Sequence, residues 1–269
     1  MINPLRVKEL TLFDFYYSLI SLKSLAFIIP YFLFWYLVFD NVTQLAVEWI
    51  HSAQGLFIAS YVTEDQLLIE RLFVERPATL SLYLLIATSI TPLFILLAAN
   101  NQYSSDATRG AFRFILTRAT RTELYLSRFI SVCLLVFICL FITLLWASIQ
   151  TYINKEDEMQ TIIFYGLQTY ILIIFYSLPF IAFMSAVSSF TRSAFGCLFA
   201  GMMFYVLLIV ISFLLRNDFS YASYFIPSGI KQTVIDVNTE NLLKSIAVLL
   251  TYTLLYFGVG WFIFKRRDM

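Results

Sequence analysis

The sequence is poor in charged residues. Only 13% of its 269 residues are Asp, Glu, Lys or Arg, whereas an ordinary soluble domain has about 25%. Apolar residues make up 60%, and the mean hydropathy is +0.81. A soluble core cannot bury that much apolar surface, so an ordinary soluble protein is excluded and lipid is the expected solvent. The apolar runs are long and continuous rather than alternating, which predicts membrane-spanning helices.

Histidine and cysteine are also scarce, and this limits the available chemistry. The chain has one histidine, His51, and three cysteines without a Cys-x-x-Cys spacing. These numbers argue against an intramembrane serine protease, a His-ligated metalloprotease and a disulfide framework. We therefore predict no catalytic, cofactor-binding or metal-binding residues and no enzyme activity in this chain. An intramembrane enzyme that uses hydroxyl groups or loop residues remains the enzymatic alternative.

Two further features are missing. No Gly-x-x-x-x-Gly-Lys-Ser/Thr loop is present, so the chain cannot bind ATP in the P-loop manner and any energy must come from a partner. The long apolar runs contain no Asp, Glu, Lys or Arg. Secondary transport coupled to protons or sodium is disfavoured, because such coupling needs ionisable groups inside the membrane.

Six uncharged runs predict the membrane-spanning segments. About 20 residues cross a bilayer core, and the first run has only 16 residues, so we expect Lys23 to snorkel and let Leu19–Leu22 extend it. The predicted fold is an all-α integral membrane protein with six transmembrane helices in one domain, residues 1–269. The runs are Ser24–Phe39, Pro77–Ser105, Phe129–Asn154, Met159–Thr191, Ser193–Leu215 and Ser245–Phe264.

The distribution of basic residues predicts the orientation. With the N-terminus in the cytoplasm, the cytoplasmic segments carry 12 basic and 5 acidic residues, and the opposite side carries 6 basic and 12 acidic residues. Cytoplasmic segments are enriched in Lys and Arg. Both termini are therefore predicted to be cytoplasmic, in a multi-pass protein.

Three segments outside the runs have patterns of their own. Residues 1–22 mix charged and apolar side chains, which is typical of a helix lying along the cytoplasmic interface. Residues 40–76 are net acidic and are predicted to fold outside the membrane. In the second external segment, 216–244, an aromatic stretch with Phe225, Pro227 and Gly229 predicts a re-entrant element. An aromatic belt at the interface explains the same composition.

The cytoplasmic segment 100–128 carries the most specific signals. Asp106 favours the start of a short helix, and Phe112, Ile115 and Leu116 recur at helical spacing. The sequence Thr120-Arg-Thr-Glu123 fits a capping box, in which the hydroxyl and the carboxylate each accept a hydrogen bond from the other residue's backbone N–H. A new helix is therefore predicted to begin near residue 121.

The pattern Asp106-x-x-Arg-Gly-x-x-Arg-Phe-x-Leu-Thr-Arg, followed by Arg121-Thr-Glu-Leu124 and Arg128, resembles the cytoplasmic loop of permease subunits of type 2 ABC exporters. Six spans with both ends inside, and the basic end Lys265–Arg267, are similar to that family too. The family often has Glu, Pro and Lys where this chain has Asp106, Ala119 and Arg128.

The resemblance implies that the loop is a coupling helix seated in a groove of a separate P-loop ATPase subunit. Two copies of that subunit would bind ATP and Mg, and a second permease chain, identical or not, would complete the pathway. The bacterial inner membrane is the implied location, and no nucleic acid is expected as a partner. The residues implied in coupling are Asp106, Arg109, Gly110, Arg113, Phe114, Leu116, Arg118, Arg121 and Glu123.

A different function competes with the exporter, and the arginines of the loop have a simpler explanation. A non-transporting scaffold or mechanotransmitter would relay ATPase motion to partners bound by the external segments. For the arginines of the loop, the excess of positive charge on cytoplasmic segments explains their sign without any partner.

Overall fold

The structure is a computed structural model that describes residues 3–42, 72–73, 76–100, 102–104, 115–215, 227–230, 234–235 and 239–267. Among these residues every regular element is helical. A π-helical turn, Val38–Val42, extends the second helix, and a 3-10 turn, Pro227–Ile230, precedes the last one. The helices are α1 (Pro4–Ile20), α2 (Leu22–Leu37), α3 (Ala78–Ala98), α4 (Arg121–Ile153), α5 (Met159–Phe190), α6 (Ala194–Leu215) and α7 (Thr239–Arg266).

Within the described ranges, five helices are long and apolar enough to cross a membrane. They confirm the predicted class, an all-helical multi-pass membrane protein. Helix α1 and residues Leu25–Asn41, which meet at a bend, would add a sixth crossing if they formed one broken span. The count of six and the cytoplasmic location of both ends stay predictions. The five segments are Ala78–Ala98, Arg121–Ile153, Met159–Phe190, Ala194–Ile211 and Leu243–Arg266.

Local sequence explains how the first helix begins. The side chain of Asn3 accepts a hydrogen bond from the backbone N–H of Leu5 at 3.1 Å, and Pro4 occupies the first helical position. Asn is a favoured N-cap, and Pro costs nothing where the N–H has no helical partner. Helix α1 buries Val7 and Thr11 and leaves many apolar side chains exposed. This helix matches the predicted N-terminal helix.

The chain divides into two compact units. The first comprises Met1–Phe27, Thr91–Phe137 and Phe175–Met269. Its aromatic core contains Tyr103, Tyr125 and Phe264, all fully buried, together with Leu124. The ring centroids of the two tyrosines are 5.1 Å apart and nearly parallel. Stacked rings of this kind contribute beyond the area that they bury.

The second unit comprises Ile28–Ile90 and Ile138–Ile174. In its core the hydroxyl of Thr143 lies 3.2 Å from the hydroxyl of Tyr31 and 2.9 Å from that of Tyr83. The Tyr83 ring packs against Trp35, with ring centroids 4.6 Å apart. Buried hydroxyls are stable in an apolar interior when they bond to one another.

A carboxylate caps the N-terminus of helix α3 in the second unit. Glu156, in the turn between α4 and α5, accepts hydrogen bonds from the backbone N–H of Thr79, at 2.9 Å, and from the Thr79 hydroxyl. Lys155 in the same turn has a φ of 53°, a left-handed conformation that is uncommon for a residue with a side chain. The negative charge of Glu156 complements the positive end of the α3 dipole.

Most of the two predicted external segments lies outside the described residues. For the first segment, 40–76, the structure describes residues 40–42, 72–73 and 76. In the second, 216–244, Pro227 and Gly229 belong to the 3-10 turn, whose ends Pro227 and Ile230 are buried and which packs against α7. Phe225 lies outside the described residues, and the re-entrant element stays a prediction.

Candidate functional site

The structure describes the second half of the predicted coupling segment. Leu116, Arg118, Arg121 and Glu123 lie in it, at the turn before α4 and in the first turn of that helix. The other predicted coupling residues fall outside the described part of the chain: Asp106, Arg109, Gly110, Arg113 and Phe114.

The predicted capping box is present at the start of α4. The backbone N–H of Glu123 donates to the Thr120 hydroxyl at 3.3 Å, and the backbone N–H of Thr120 donates to the Glu123 carboxylate at 2.9 Å. Just before it, the N–H groups of Arg118 and Ala119 both donate to the carbonyl of Ile115 at 3.0 Å. The chain therefore makes a tight turn and restarts as a capped helix, which confirms the predicted beginning at residue 121.

Glu123 also binds the N-terminus of α1. Its carboxylate accepts a hydrogen bond from the backbone N–H of Asn3 at 2.8 Å and lies 3.5 Å from a guanidinium nitrogen of Arg6. The Glu123 side chain is only 1% exposed. A buried carboxylate is costly unless it is hydrogen-bonded, and here two backbone N–H groups and one cation satisfy it. The sequence did not predict Asn3 or Arg6 as partners of Glu123, because no local signal pairs residues so far apart.

A second contact between α1 and α4 lies one turn further along α4. Arg128 is buried, donates to the carbonyl of Gln102 at 2.6 Å, and has its Nε 3.7 Å from a carboxylate oxygen of Asp14. The hydroxyl of Thr11 also donates to the carbonyl of Ser127 at 3.3 Å. These contacts fix α1 along the first two turns of α4.

The guanidinium of Arg121 binds the end of α7. One of its terminal nitrogens, Nη1, donates to the carbonyls of Lys265 at 2.6 Å and Arg267 at 2.8 Å. The last carbonyls of a helix have no helical partner, and the helix dipole makes that end negative. A cation therefore caps α7. Both of these bonds use Nη1, and the partner contact implied for Arg121 by the resemblance stays a prediction.

Arg267 caps a third helix in the same way. Its two terminal nitrogens donate to the carbonyls of Ser189 at 2.7 Å and Thr191 at 2.9 Å, at the end of α5. Burial, and then the charge of Arg192, lower the pKa of Arg267 from its ordinary value. An arginine stays protonated at neutral pH despite such a shift. Arg121 and Arg267 thus connect the start of α4 to the ends of α7 and α5.

Polar contacts continue this connection into the aromatic core. The hydroxyl of Tyr103 donates to the carbonyl of Tyr125 at 2.8 Å, and the hydroxyl of Ser185 lies 3.1 Å from that of Tyr125. Near the helix ends, the indole N–H of Trp261 donates to the Thr122 hydroxyl at 3.4 Å. Helices α4, α5 and α7 are therefore joined by side-chain hydrogen bonds as well as by packing.

An open pocket of about 470 Å³ lies beside the capping box. Its lining includes three arginines, and we call it the basic pocket. Arg6 is 46% exposed and Arg118 is exposed, whereas Arg121 is half-buried. None of the described residues that line it is acidic, so the lining carries a net positive charge. The lining residues are Arg6, Leu116, Thr117, Arg118, Ala119, Thr120 and Arg121.

Comparison with known proteins finds one family. Residues 73–269 match the family described as "Protein of unknown function (DUF2705)". The match includes every described helix from α3 to α7, and with them the capping box, Arg121 and Arg267. No curated protein matches the chain.

Proposed function

The chain belongs to the DUF2705 family, and we propose that it is the membrane permease subunit of an ATP-binding cassette exporter. A separate P-loop ATPase, present in two copies, would bind ATP and Mg, and two permease chains would enclose the pathway. The location would be a bacterial inner membrane. ATP-driven closure of the ATPase pair would move the cytoplasmic loop before α4 and change the access of the membrane-spanning helices.

The series of bonds at the start of α4 is the observation that carries this proposal. A loop that couples an ATPase to a membrane protein must transmit its displacement to several helices at once. Here the first turn of α4 binds α1 through Glu123, α7 through Arg121 and, by way of Arg267, the end of α5. A movement of the loop would therefore act on all four helices, because interfaces of this kind shift as units rather than deform continuously.

The contacts with the ATPase are assigned to the part of the loop that precedes this turn. Arg109 and Arg113 would pair with carboxylates in the groove of the ATPase, since a guanidinium forms forked, charge-assisted bonds with carboxylates. Asp106, Gly110 and Phe114 would shape the coupling helix there. Arg121 and Glu123 act as positioning residues that hold the end of the loop.

Copurification and ATP hydrolysis test the proposal. The full chain would be isolated from its native membrane, and we expect a P-loop ATPase in stoichiometric amount. Arg109→Glu and Arg113→Glu together should abolish that association and leave the melting temperature of the chain unchanged. Lys155→Glu is the control, because it makes the charge change of either single substitution in the turn that follows α4.

The outcomes separate the rival interpretations. Isolation of the folded chain without any ATPase would refute the transporter assignment. An unchanged complex after charge reversal would remove the loop from the coupling role. A complex that hydrolyses ATP in vesicles, retains external partners and moves no cargo would favour the mechanotransmitter over the exporter.

A further inference from the structure

We propose that the basic pocket binds the phosphate group of an anionic phospholipid. The proposal concerns Arg6 and Arg118 together with Arg121, and it does not depend on whether the chain is a transporter. It assigns a ligand to residues other than Arg109 and Arg113, which the proposed function assigns to the ATPase contact.

The lining of the pocket suits a phosphate. Guanidinium groups bind phosphate oxygens through forked hydrogen bonds, and several of them converge here on one open volume of about 470 Å³. Within the described chain, the hydrogen bonds of Arg121 use Nη1, so Nε and Nη2 remain as donors. Glu123 does not line the pocket; it accepts from the N–H groups of Asn3 and Thr120 and pairs with one of the three arginines, Arg6, at 3.5 Å. It therefore neutralises only part of the positive charge.

The ends of two apolar helices place the pocket at the depth of lipid headgroups. Helix α4 begins at Arg121, and from Phe129 onward it carries no charged residue. Helix α7 ends in Lys265 and Arg266, and the Lys265 ammonium lies 5.2 Å from the centroid of the Trp261 ring. A boundary between an apolar helix and a basic end, marked by Trp, is typical of the membrane interface. Basic pockets at this level bind anionic headgroups.

Helix α1 supplies a surface for the acyl chains. It contributes Arg6 to the pocket, and its neighbour Leu5 is 70% exposed, as are Phe13 at 69% and Ile20 at 78%. Exposed apolar side chains along the helix that carries Arg6 fit an amphipathic ligand whose acyl chains lie against that helix. An acidic protein segment would use the same guanidinium groups and leave this apolar surface uncovered, so the lipid is the better match.

Lipid retention by the full chain tests the inference. The chain would be purified in detergent, exposed to equal amounts of phosphatidylglycerol and phosphatidylcholine, and examined by native mass spectrometry. We expect selective retention of phosphatidylglycerol, and a loss of roughly tenfold or more in that selectivity for Arg6→Gln combined with Arg118→Gln. Lys8→Gln, an exposed position on α1 outside the pocket lining, should change the selectivity less than twofold.

Two further experiments distinguish a lipid phosphate from free phosphate and keep the test valid if the double variant does not fold. Inorganic phosphate at millimolar concentration should not displace the lipid; displacement would show a site for free phosphate and overturn the lipid assignment. Equal retention of both lipids, or an equal loss in the Lys8 variant, would also overturn it. If the double variant unfolds, Arg118→Gln alone serves, because that side chain is exposed, and it should reduce the selectivity severalfold.

Discussion

The guanidinium of Arg121, at the first residue of α4, donates to the carbonyl of Arg267, just beyond the end of α7, at 2.8 Å. Arg267 in turn donates to two carbonyls at the end of α5. One series of bonds therefore connects three helix ends, and both guanidinium groups lie at C-terminal ends of other helices, where the dipole favours a cation.

Replacing Arg121 should weaken this connection. Arg121→Gln removes two charge-assisted hydrogen bonds from a half-buried side chain, and we expect a loss of about 1–3 kcal/mol in the free energy of unfolding. The melting temperature in detergent should fall by about 3–8 °C. Arg118→Gln is the control, since its side chain is exposed, and should shift the melting temperature by less than 1–2 °C, roughly. Equal stability of both variants would show that the cap at α7 contributes nothing.

Glu123 should tolerate Gln better than Ala. Glu123→Ala leaves the part-buried N–H groups of Asn3 and Thr120 without their acceptor and removes the ion pair with Arg6, at a cost of about 2–3 kcal/mol. The two N–H groups donate to different oxygens of the carboxylate, so Glu123→Gln keeps an acceptor for one of them and loses the other bond and the ion pair with Arg6. We expect a loss of about 1–2 kcal/mol. Thermal unfolding of the two variants, with exposed Glu9→Gln as the reference, measures the order. The reverse order would contradict the capping role.

Two glycines of α7 provide a matched pair for packing. A Cβ at Gly260 would overlap the hydroxyl of Tyr125 and lie 2.8 Å from the Cα of Ala186, whereas a Cβ at Gly258 would meet no atom within 4 Å. Gly260→Ala should therefore push α7 away from α4 and α5, with a loss of about 1–3 kcal/mol.

Gly258→Ala should be neutral or stabilising by up to about 1 kcal/mol, because Ala is the better helix former. The melting temperatures of Gly260→Ala and Gly258→Ala, measured in the same detergent, test this difference in stability. Similar losses at the two positions would mean that helix propensity, rather than close approach, governs both glycines.

The hydroxyl of Thr143 should contribute to the stability of the second unit. Thr143→Val keeps the shape of the side chain and removes its hydrogen bonds with Tyr31 and Tyr83, at an expected cost of about 1–2 kcal/mol. Thr151→Val is the control, because among the described residues the Thr151 hydroxyl bonds only to the carbonyl of Ala147, in its own helix. Thermal unfolding should separate the two variants by several degrees. If both behave alike, the tyrosine contacts add no stability.

Local patterns determined a large part of the architecture. The uncharged run that begins at Met159 and the helix α5 start at the same residue, since a continuous apolar stretch in lipid has to satisfy its backbone as a helix. The start of α4 was predictable for a different local reason, because Thr120 and Glu123 satisfy each other's backbone N–H groups within a single turn. The sequence alone also predicted the helical class, as a consequence of composition.

The partners of the charged side chains were decided only by the tertiary structure. A positive charge at Arg121 is expected from the excess of Lys and Arg on cytoplasmic segments. That excess does not tell whether the side chain binds a partner, a lipid or another part of the chain. Only folding brings Arg121 to Lys265, 144 positions away, and Asn3 to Glu123, 120 positions away. Which side chain caps a helix end depends on which helix ends lie close together in the folded chain, and the periodicity of the sequence does not contain that information.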